Sequence, residues 1–286
     1  MMHYLTDPLQ FEFMQRALVA VLLTGVASGV LGSYVVLRGL AFIGDALTHA
    51  VFPGIVIAFA AGRSILLGAL IVGLITALGI AVISRGRRVS EDTAIGILFA
   101  GMFALGVVLV SSLATYQKDV AELLFGNILG VSTSDLAMAG AATLVVVGAV
   151  FLFNKEFSLI AFDREMAQAM RYPVFILDLV LLALITLAIV VSLRAIGNIL
   201  VLAMLVTPAA TARLLTNRLV VMQVTAAALG AIEGVVGLYI SFWWAVASGG
   251  AIVLTSTAVF FAVFIAVEAR RLRPAGRTRP SGMMAR

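Results

Sequence analysis

Nine strongly apolar runs follow one another along this 286-residue chain. Each is about 20 residues long, which in helical form matches the hydrocarbon core of a bilayer. Inside lipid, an α-helix satisfies its backbone hydrogen-bonding groups within its own segment. We therefore expect an all-α, polytopic transmembrane bundle of about nine spans, with eight as the alternative count. The predicted spans are residues 15–37, 40–61, 64–84, 93–113, 136–154, 174–193, 196–215, 221–243 and 249–268.

The composition supports this prediction, since 63% of residues are hydrophobic and only 12% are charged. A soluble domain of this size cannot bury so much apolar surface, which excludes the soluble classes of protein. The chain has no cysteine, so disulfides, iron–sulfur clusters and thiolate metal sites are excluded as well. Residues 1–268 are expected to form one membrane domain, because neither an internal repeat nor a separate soluble domain is visible.

The basic residues are concentrated in short loops and at the C-terminal end. Lys and Arg beside membrane helices mark the cytoplasmic side. The arginine-rich residues 269–286 are therefore expected to be a disordered cytoplasmic tail, and nine spans then place the N-terminus outside. In this arrangement the loops 85–88, 154–173 and 213–218 fall inside, and the loop 114–135 falls outside. A net charge of +5 distributed in this way does not predict a nucleic-acid partner.

The sequence contains no recognisable catalytic motif. A G-x-x-x-x-G-K-[ST] phosphate loop is absent, and neither Lys118 nor Lys155 follows a glycine, so the chain does not hydrolyse ATP by that route. Its histidines are His3 and His49 alone, and without an H-E-x-x-H motif an intramembrane zinc protease is not expected. We therefore expect a transport protein that is not an enzyme and holds no cofactor permanently.

An aspartate and a histidine interrupt the second apolar run, in the stretch GDALTHAV. Asp45 and His49 are four residues apart, so they share one helix face with Cβ atoms about 5–6 Å apart. A carboxylate oxygen and an imidazole nitrogen together suit divalent cations such as Mn²⁺, Fe²⁺ or Zn²⁺. Pro53 and Gly54 follow within a turn and interrupt the helical hydrogen bonds, which can expose carbonyls near the pair. The alternative is a mutual hydrogen bond that only helps to hold helices together.

The longest predicted cytoplasmic loop contains a short amphipathic segment, FDREMAQAMRYP, at residues 162–173. Asp163 is placed to cap a short helix, with Arg164 and Glu165 in its first turn. Pro173 ends that helix and begins the next span. Its apolar stripe consists of Met166, Ala169 and Met170. Such a helix suits the docking of a cytoplasmic partner, and the alternative is a helix that rests on lipid headgroups.

Five stretches resemble the permease subunits of metal-ion ABC transporters, the family that imports manganese, zinc or iron. The stretch VLRGLAFIGDALTHAVFPG, which contains Asp45 and His49, is similar to the signature of that family. The other stretches match in the same order along nearly the whole chain. They are EDTAIGILFAGMFALGV, LLFGNILGVS, LRAIGNILVLAMLVTPAATARLLT, and GLYISFW followed by SGGAIVL.

The resemblance implies the fold of a type II ABC importer in the bacterial cytoplasmic membrane. It also implies that Asp45 and His49 contact the transported ion and that residues 162–173 are the coupling helix. The candidate coupling residues are Asp163, Arg164, Glu165, Met166 and Met170. The implied partners are a separate ATPase subunit, an extracytoplasmic metal-binding solute-binding protein and a second copy of this chain.

The substrate and the energy source stay open at this point. Oxygen and nitrogen donors without sulfur favour manganese, with zinc and iron as alternatives. A permease for iron-siderophores, haem or cobalamin is a further alternative, although such substrates need a wide pore, and an ion-driven secondary metal carrier would need no ATPase. The chain also departs from the family, which is usually apolar at Glu233 and has glycine where Met170 and Arg171 stand. We expect structural roles for Glu233 and for Asp178, another acid near the start of a span.

Overall fold

A computed structural model describes residues 6–86, 88–112 and 130–272 of the chain. All regular structure within these residues is helical, and a short 3-10 turn, Pro8–Gln10, precedes twelve α-helices. The helices are Glu12–Leu37 (α1), Ile43–Ala50 (α2), Phe52–Ala60 (α3), Ile65–Ser84 (α4), Glu91–Ser111 (α5), Thr133–Leu152 (α6), Asn154–Phe162 (α7), Arg164–Ala169 (α8), Val174–Ile196 (α9), Asn198–Leu215 (α10), Leu219–Trp244 (α11) and Ser248–Leu272 (α12).

The apolar runs and the long helices coincide along the chain. Eight segments in the described residues are long and apolar enough to cross a membrane, with α2 and α3 together forming the second. The ninth predicted span coincides with α10, whose apolar part, Leu200–Leu215, is shorter. This helix packs against α1, α11 and α12, and its residues Leu200, Met204 and Leu205 are fully buried. Because protein rather than lipid surrounds α10, it needs less hydrophobicity than an outer helix.

The centre of the bundle is formed by α1, which packs most extensively against α11 and α10. Gly25 lies against the backbone of Gly230, and a Cβ atom added at Gly25 would come within 2.8 Å of it. A Cβ atom at Gly29 would lie only 2.5 Å from the backbone nitrogen of Ala227. Small residues let helices approach this closely in lipid, where dispersion contacts drive helix association. Gly25, Gly29 and Gly230 therefore allow the close packing of α1 against α11.

The second span is broken into α2 and α3 at Val51. In a continuous helix the N–H of residue 53 would donate to the carbonyl of His49, but Pro53 has no N–H. Val51 instead donates its N–H to the carbonyl of Leu47 at 3.1 Å, which closes α2. The expected interruption beside Asp45 and His49 is therefore present. Gly54, by contrast, serves the contact between α3 and α4, because a Cβ atom there would lie 2.2 Å from the carbonyl oxygen of Gly68.

Some helix ends differ from the predicted spans, and local hydrogen bonds explain where they lie. The sixth helix begins at Thr133 because Ser132 and Asp135 form a reciprocal capping box. Ser90 caps α5 by accepting a hydrogen bond from the N–H of Thr93 at 3.1 Å. At the other end of the chain, α12 extends through Leu272, beyond the predicted boundary at residue 268. Arg270 and Arg271 in its last turn suit the negative end of the helix dipole, and the rest of the predicted tail lies outside the described residues.

The loop between the fifth and sixth predicted spans contains two helices rather than one. The unpredicted helix, α7, packs Phe157 edge-on against Tyr34 of α1 with ring centroids 5.7 Å apart. The hydroxyl of Tyr34 also donates a 2.7 Å hydrogen bond to Asn154 at the start of α7. The predicted short helix is α8, and Asp163 caps it by accepting a 2.8 Å hydrogen bond from the N–H of Met166. Both helices are thus held under the cytoplasmic end of the bundle, as the charge distribution places it.

Candidate functional site: a polar pair at a helix break

The turn that precedes α2 brings Asp45 and His49 to their positions. Gly39 has a φ of 70°, a left-handed conformation that glycine adopts without a steric penalty. This conformation lets the chain reverse after α1, and the N–H of Leu40 donates to the carbonyl of Val35 at 2.9 Å. The new helix then begins at Ile43, so Asp45 lies in its first turn and His49 in its last.

The two side chains lie side by side on one face of α2, as their spacing predicts. The Nε2 atom of His49 is 3.5 Å from Oδ1 of Asp45. The hydroxyl of Thr48 donates a 2.7 Å hydrogen bond to the backbone carbonyl of Asp45 and not to its carboxylate. Within the described part of the chain, neither member of the pair hydrogen-bonds to another helix. The exposed fractions of the two side chains are 24% for His49 and 32% for Asp45, so the pair is open on one side although it lies within a span.

Aromatic rings of the fifth helix hold the imidazole in place. Phe99 and Phe103 both meet His49 edge to face, with ring centroids 5.6 Å and 5.3 Å away. Phe103 also contacts Phe52, which follows the break between α2 and α3. The Nδ1 atom of His49 is buried and has no hydrogen-bond partner among the residues that the structure describes, while Nε2 faces the carboxylate. The aromatic contacts therefore fix the ring plane, so any shift of α5 acts directly on His49.

A cation at this pair would need further ligands. Among the described residues there is no group of three or more His, Cys, Asp or Glu side chains that could hold a metal ion. Zn²⁺ usually takes four ligands and Mn²⁺ about six oxygen or nitrogen ligands. The remaining donors must be water, backbone carbonyls or groups from another chain. The carbonyl of His49 is one candidate, since Pro53 removes its usual helical partner and the N–H of Val51 is the group that contacts it instead.

Four charged side chains form a second polar centre, which we call the charge ring: Arg38, Glu91, Arg164 and Asp178. Nη2 of Arg38 lies 2.6 Å from Oε1 of Glu91 and 2.9 Å from Oδ1 of Asp178. Arg164 places Nη1 at 3.1 Å from the same oxygen of Glu91 and Nη2 at 2.5 Å from Oδ2 of Asp178. The contacts to Glu91 have hydrogen-bond geometry, whereas Oδ1 of Asp178 meets Arg38 as an ion pair only. Asp178 therefore joins helices, in agreement with the structural role expected for it.

The sequence singled out Arg164 and Asp178 separately and missed both Arg38 and Glu91. The available signal was topological, because the nine-span arrangement puts all four residues at the cytoplasmic ends of spans. The other candidate coupling residues lie on the surface of the segment, where Met166 and Met170 are exposed and Ala167 is fully buried. Arg164 differs from them, since its guanidinium group turns towards the bundle.

Glu233 is a third polar feature within the membrane domain. It is almost completely buried in α11, and within the described residues neither carboxylate oxygen has a hydrogen-bond partner. The nearby Gly234 lies against Val21 of α1, so this part of α11 faces the centre of the bundle. The side chain is remote in sequence from the Asp45 and His49 pair, and nothing links it to a path for an ion.

Similarity to known proteins extends over almost the whole membrane domain. Residues 10–267 match the model of the ABC 3 transport family. The chain is 44% identical to the manganese transport system membrane protein MntC of Listeria monocytogenes, over 92% of this chain and 94% of that protein. It is 41% identical to the chelated iron transport system membrane protein YfeD of Yersinia pestis, over 91% of this chain and 86% of that protein. Its fold matches a chain of PsaBC from Streptococcus pneumoniae, solved in complex with Fab, with a TM-score of 0.81 and 37% identity over 92% of this chain and 95% of that chain.

Proposed function

The chain belongs to the ABC 3 transport family, and we propose that it is the permease subunit of an importer for a divalent transition-metal cation, manganese above all. It is a multi-pass protein of the bacterial cytoplasmic membrane, and a separate subunit carries the ATPase site. The observation that carries the proposal is the Asp45 and His49 pair, which is open on one side at a break in a membrane span. Ionisable groups in such a position usually mark the path of an ion.

The donor set supports manganese. Asp45 supplies a hard oxygen, His49 supplies a borderline nitrogen, and a chain without cysteine offers no thiolate. Thiolates favour zinc and other softer ions, whereas carboxylate, carbonyl and water suit Mn²⁺. Zinc and iron remain the competing substrates, and the names of the relatives include both manganese and iron. A siderophore or haem substrate would need a wide cavity, and two adjacent ligands on one helix face suit a bare cation better.

A second copy of the chain would complete the site. Among the described residues of its own chain, no third His, Cys, Asp or Glu side chain joins the pair in a metal-binding group. If two copies meet across an axis beside α2, two aspartates and two histidines give four ligands with a net charge of −2. That charge matches a divalent ion, so the ion and the site are neutral together in a low-dielectric environment.

Transport would proceed by alternating access between the two sides of the membrane. A solute-binding protein would deliver the cation at the outer face, and closure of the ATPase subunits would move the cytoplasmic docking segment. The exposed surface of Met166 in α8 and Met170, the residue that follows its last turn, is the proposed docking surface for the ATPase. Binding at the pair needs to be weak enough for rapid release, because a complete and rigid ligand shell would retain the ion.

Manganese binding to the purified complex tests this proposal. The chain is co-expressed with its ATPase subunit, placed in nanodiscs and titrated with Mn²⁺ while the electron paramagnetic resonance signal reports the free ion. We expect one Mn²⁺ for every two chains and competition by Zn²⁺ and Fe²⁺ at the same site. Asp45→Asn should weaken Mn²⁺ binding by at least about tenfold. Mutating a residue that only hydrogen-bonds to a metal ligand already lowers metal affinity by about that factor, and losing a ligand itself should cost no less.

A matched control removes the same charge elsewhere. Asp92 is exposed at the start of α5, so Asp92→Asn should bind Mn²⁺ like the wild type. Equal binding by the Asp45→Asn and wild-type complexes would overturn the assignment of the site. Failure of any ATPase to co-purify, together with uptake driven by an ion gradient, would instead support a secondary carrier.

A further inference from the structure

The charge ring is closed, electrically balanced and only partly exposed. Positive and negative side chains alternate around it, so the two arginines neutralise the two carboxylates. Its inner half is well buried, with exposed side-chain fractions of 7% for Arg38 and 5% for Asp178. Its outer half is more accessible, at 21% for Glu91 and 27% for Arg164. Removing one partner from the inner half would leave a buried charge unpaired, which is strongly destabilising, whereas the outer half tolerates change better.

The four members come from four different helices. Arg38 is the C-cap of α1, and Glu91 and Arg164 are the first residues of α5 and α8. Asp178 lies near the start of α9. The six-residue α8 has little other attachment, since Ala167 is its buried residue and the side chains on its outer face are exposed. Arg164 is thus a direct tie between this short helix and two long ones, α5 and α9, and the two carboxylates connect it in turn to Arg38 at the end of α1.

Two continuous routes lead from the ring to the Asp45 and His49 pair. One runs along α5, where Phe99 and Phe103 follow Glu91 by about 12 Å and 18 Å of helix and both rings contact His49. The other runs through the short turn after Arg38, which ends where α2 begins. Helix α5 therefore begins at a member of the ring, and α2, which carries the pair, follows the turn that begins at another.

We propose that the charge ring transmits movement of α8 to the metal pair, with Arg164 as the positioning residue that makes α8 and α5 move together. The inference depends on the proposed function, because it assigns a role within the same transport cycle. The guanidinium group of Arg164 contacts two carboxylates at once, one through each terminal nitrogen. Two such contacts fix the position of the side chain more firmly than a single contact would. When a partner displaces α8, Glu91 and α5 follow, and the two phenylalanine rings shift against His49. Arg164 acts inside the bundle, whereas Met166 and Met170 face the partner.

Loss of coupling between ATP hydrolysis and transport is the expected result of breaking this tie. The test uses the complete transporter in proteoliposomes and measures ATP hydrolysis, uptake of Mn²⁺ and retention of the ATPase in the same preparation. Arg164→Gln should keep the ATPase bound and hydrolysing ATP, but the number of ions moved per ATP should fall about tenfold, a typical size for a lost coupling interaction. Arg164→Lys should be intermediate, because an ammonium group does not bridge two carboxylates as a guanidinium does. Arg218→Gln, an exposed position in the predicted cytoplasmic loop 213–218 and outside the docking segment, is the control and should keep the wild-type ratio.

A charge-balanced double variant separates a mechanical role from a merely electrostatic one. Arg164→Gln leaves the ring with one excess negative charge, and adding Glu91→Gln restores neutrality while Arg38 and Asp178 stay paired. If the ring only neutralises charge, the double variant recovers the wild-type number of ions per ATP, and the proposal is overturned. If the ring transmits movement, the double variant stays uncoupled. Detachment of the ATPase from the double variant would also overturn it, since Arg164 would then be a docking contact.

Different results would contradict the proposed function and the transmission role of the charge ring. A wild-type transporter that moves no manganese, zinc or iron would contradict the proposed function itself. A wild-type transporter that moves manganese, together with an Arg164→Gln variant that moves as many ions per ATP, would contradict the transmission role alone.

Discussion

Replacing Gly32 with alanine is expected to separate α1 from α10 in the interior of the bundle. A Cβ atom at Gly32 of α1 would lie 1.9 Å from the carbonyl oxygen of Leu205 in α10. Ordinary contact begins at 3.4 Å, so the helices must move apart by about 1.5 Å at this crossing. The obstacle is backbone rather than a flexible side chain, so neither helix can yield locally. Overpacking of this kind costs about 1–3 kcal/mol, while alanine regains up to about 1 kcal/mol over glycine through helix propensity.

A matched control separates the packing cost of Gly32→Ala from the gain in helix propensity that any glycine-to-alanine change brings. Gly148 of α6 is exposed and has no atom within 4 Å of its added Cβ, so Gly148→Ala should be neutral or stabilising. We expect the thermal midpoint of the detergent-solubilised complex, followed by loss of the monodisperse peak, to fall for Gly32→Ala only. Transport should fall as well, because Gly44 of α2 also lies against Leu205 and the displacement reaches the helix that carries the pair. Equal midpoints for the two variants would refute the close α1 and α10 packing.

Three further predictions use single or paired substitutions. With the N-terminus outside, Ala247→Cys should react with a membrane-impermeant thiol reagent in intact cells and Asn217→Cys should not. The native chain has no cysteine and therefore gives no background labelling, and the opposite pattern would refute this topology. Replacing both Met166 and Met170 with Asp should release the ATPase during purification while the chain stays inserted, and an intact complex would exclude the docking surface on α8. Glu233→Met should raise the thermal midpoint and leave transport unchanged, because it removes a buried carboxyl that has no hydrogen-bond partner within the part of the chain that the structure describes, and such a group costs on the order of 1–3 kcal/mol. Loss of transport would instead place Glu233 on the ion path.

The sequence predicts the membrane helices well, because every segment that crosses the lipid must be helical, apolar and about 20 residues long. Each of the nine apolar runs coincides with a helix or, in the second span, with two. The break at Val51 also follows from local chemistry, since Pro53 removes a backbone donor wherever it occurs in a helix. Asp163 as a cap is predictable for the same reason, because the capping bond to Met166 is made within three residues.

Contacts between distant segments are what the sequence leaves open. The helix α7 forms where a loop was expected, because Tyr34 and Phe157 supply packing that no local pattern reveals. The charge ring joins residues as far apart in sequence as Arg38 and Asp178, and the predicted topology places them on the same side of the membrane but does not show that they meet. For the candidate site, the spacing of Asp45 and His49 predicts that they share one helix face. The contacts of Phe99 and Phe103 with His49 follow only from the fold.

Manganese uptake by pair variants in the reconstituted transporter tests the central claim most directly. Proteoliposomes with the ATPase facing an ATP supply are compared for wild type, Asp45→Asn, His49→Ala and the double variant, at equal amounts of assembled complex. We predict that each single variant lowers the initial uptake rate by at least about tenfold, that the double variant abolishes uptake, and that the Asp92→Asn control keeps the wild-type rate. Wild-type uptake of manganese, zinc and iron by the double variant would contradict the account, because Asp45 and His49 would then be structural residues and the ion would pass elsewhere.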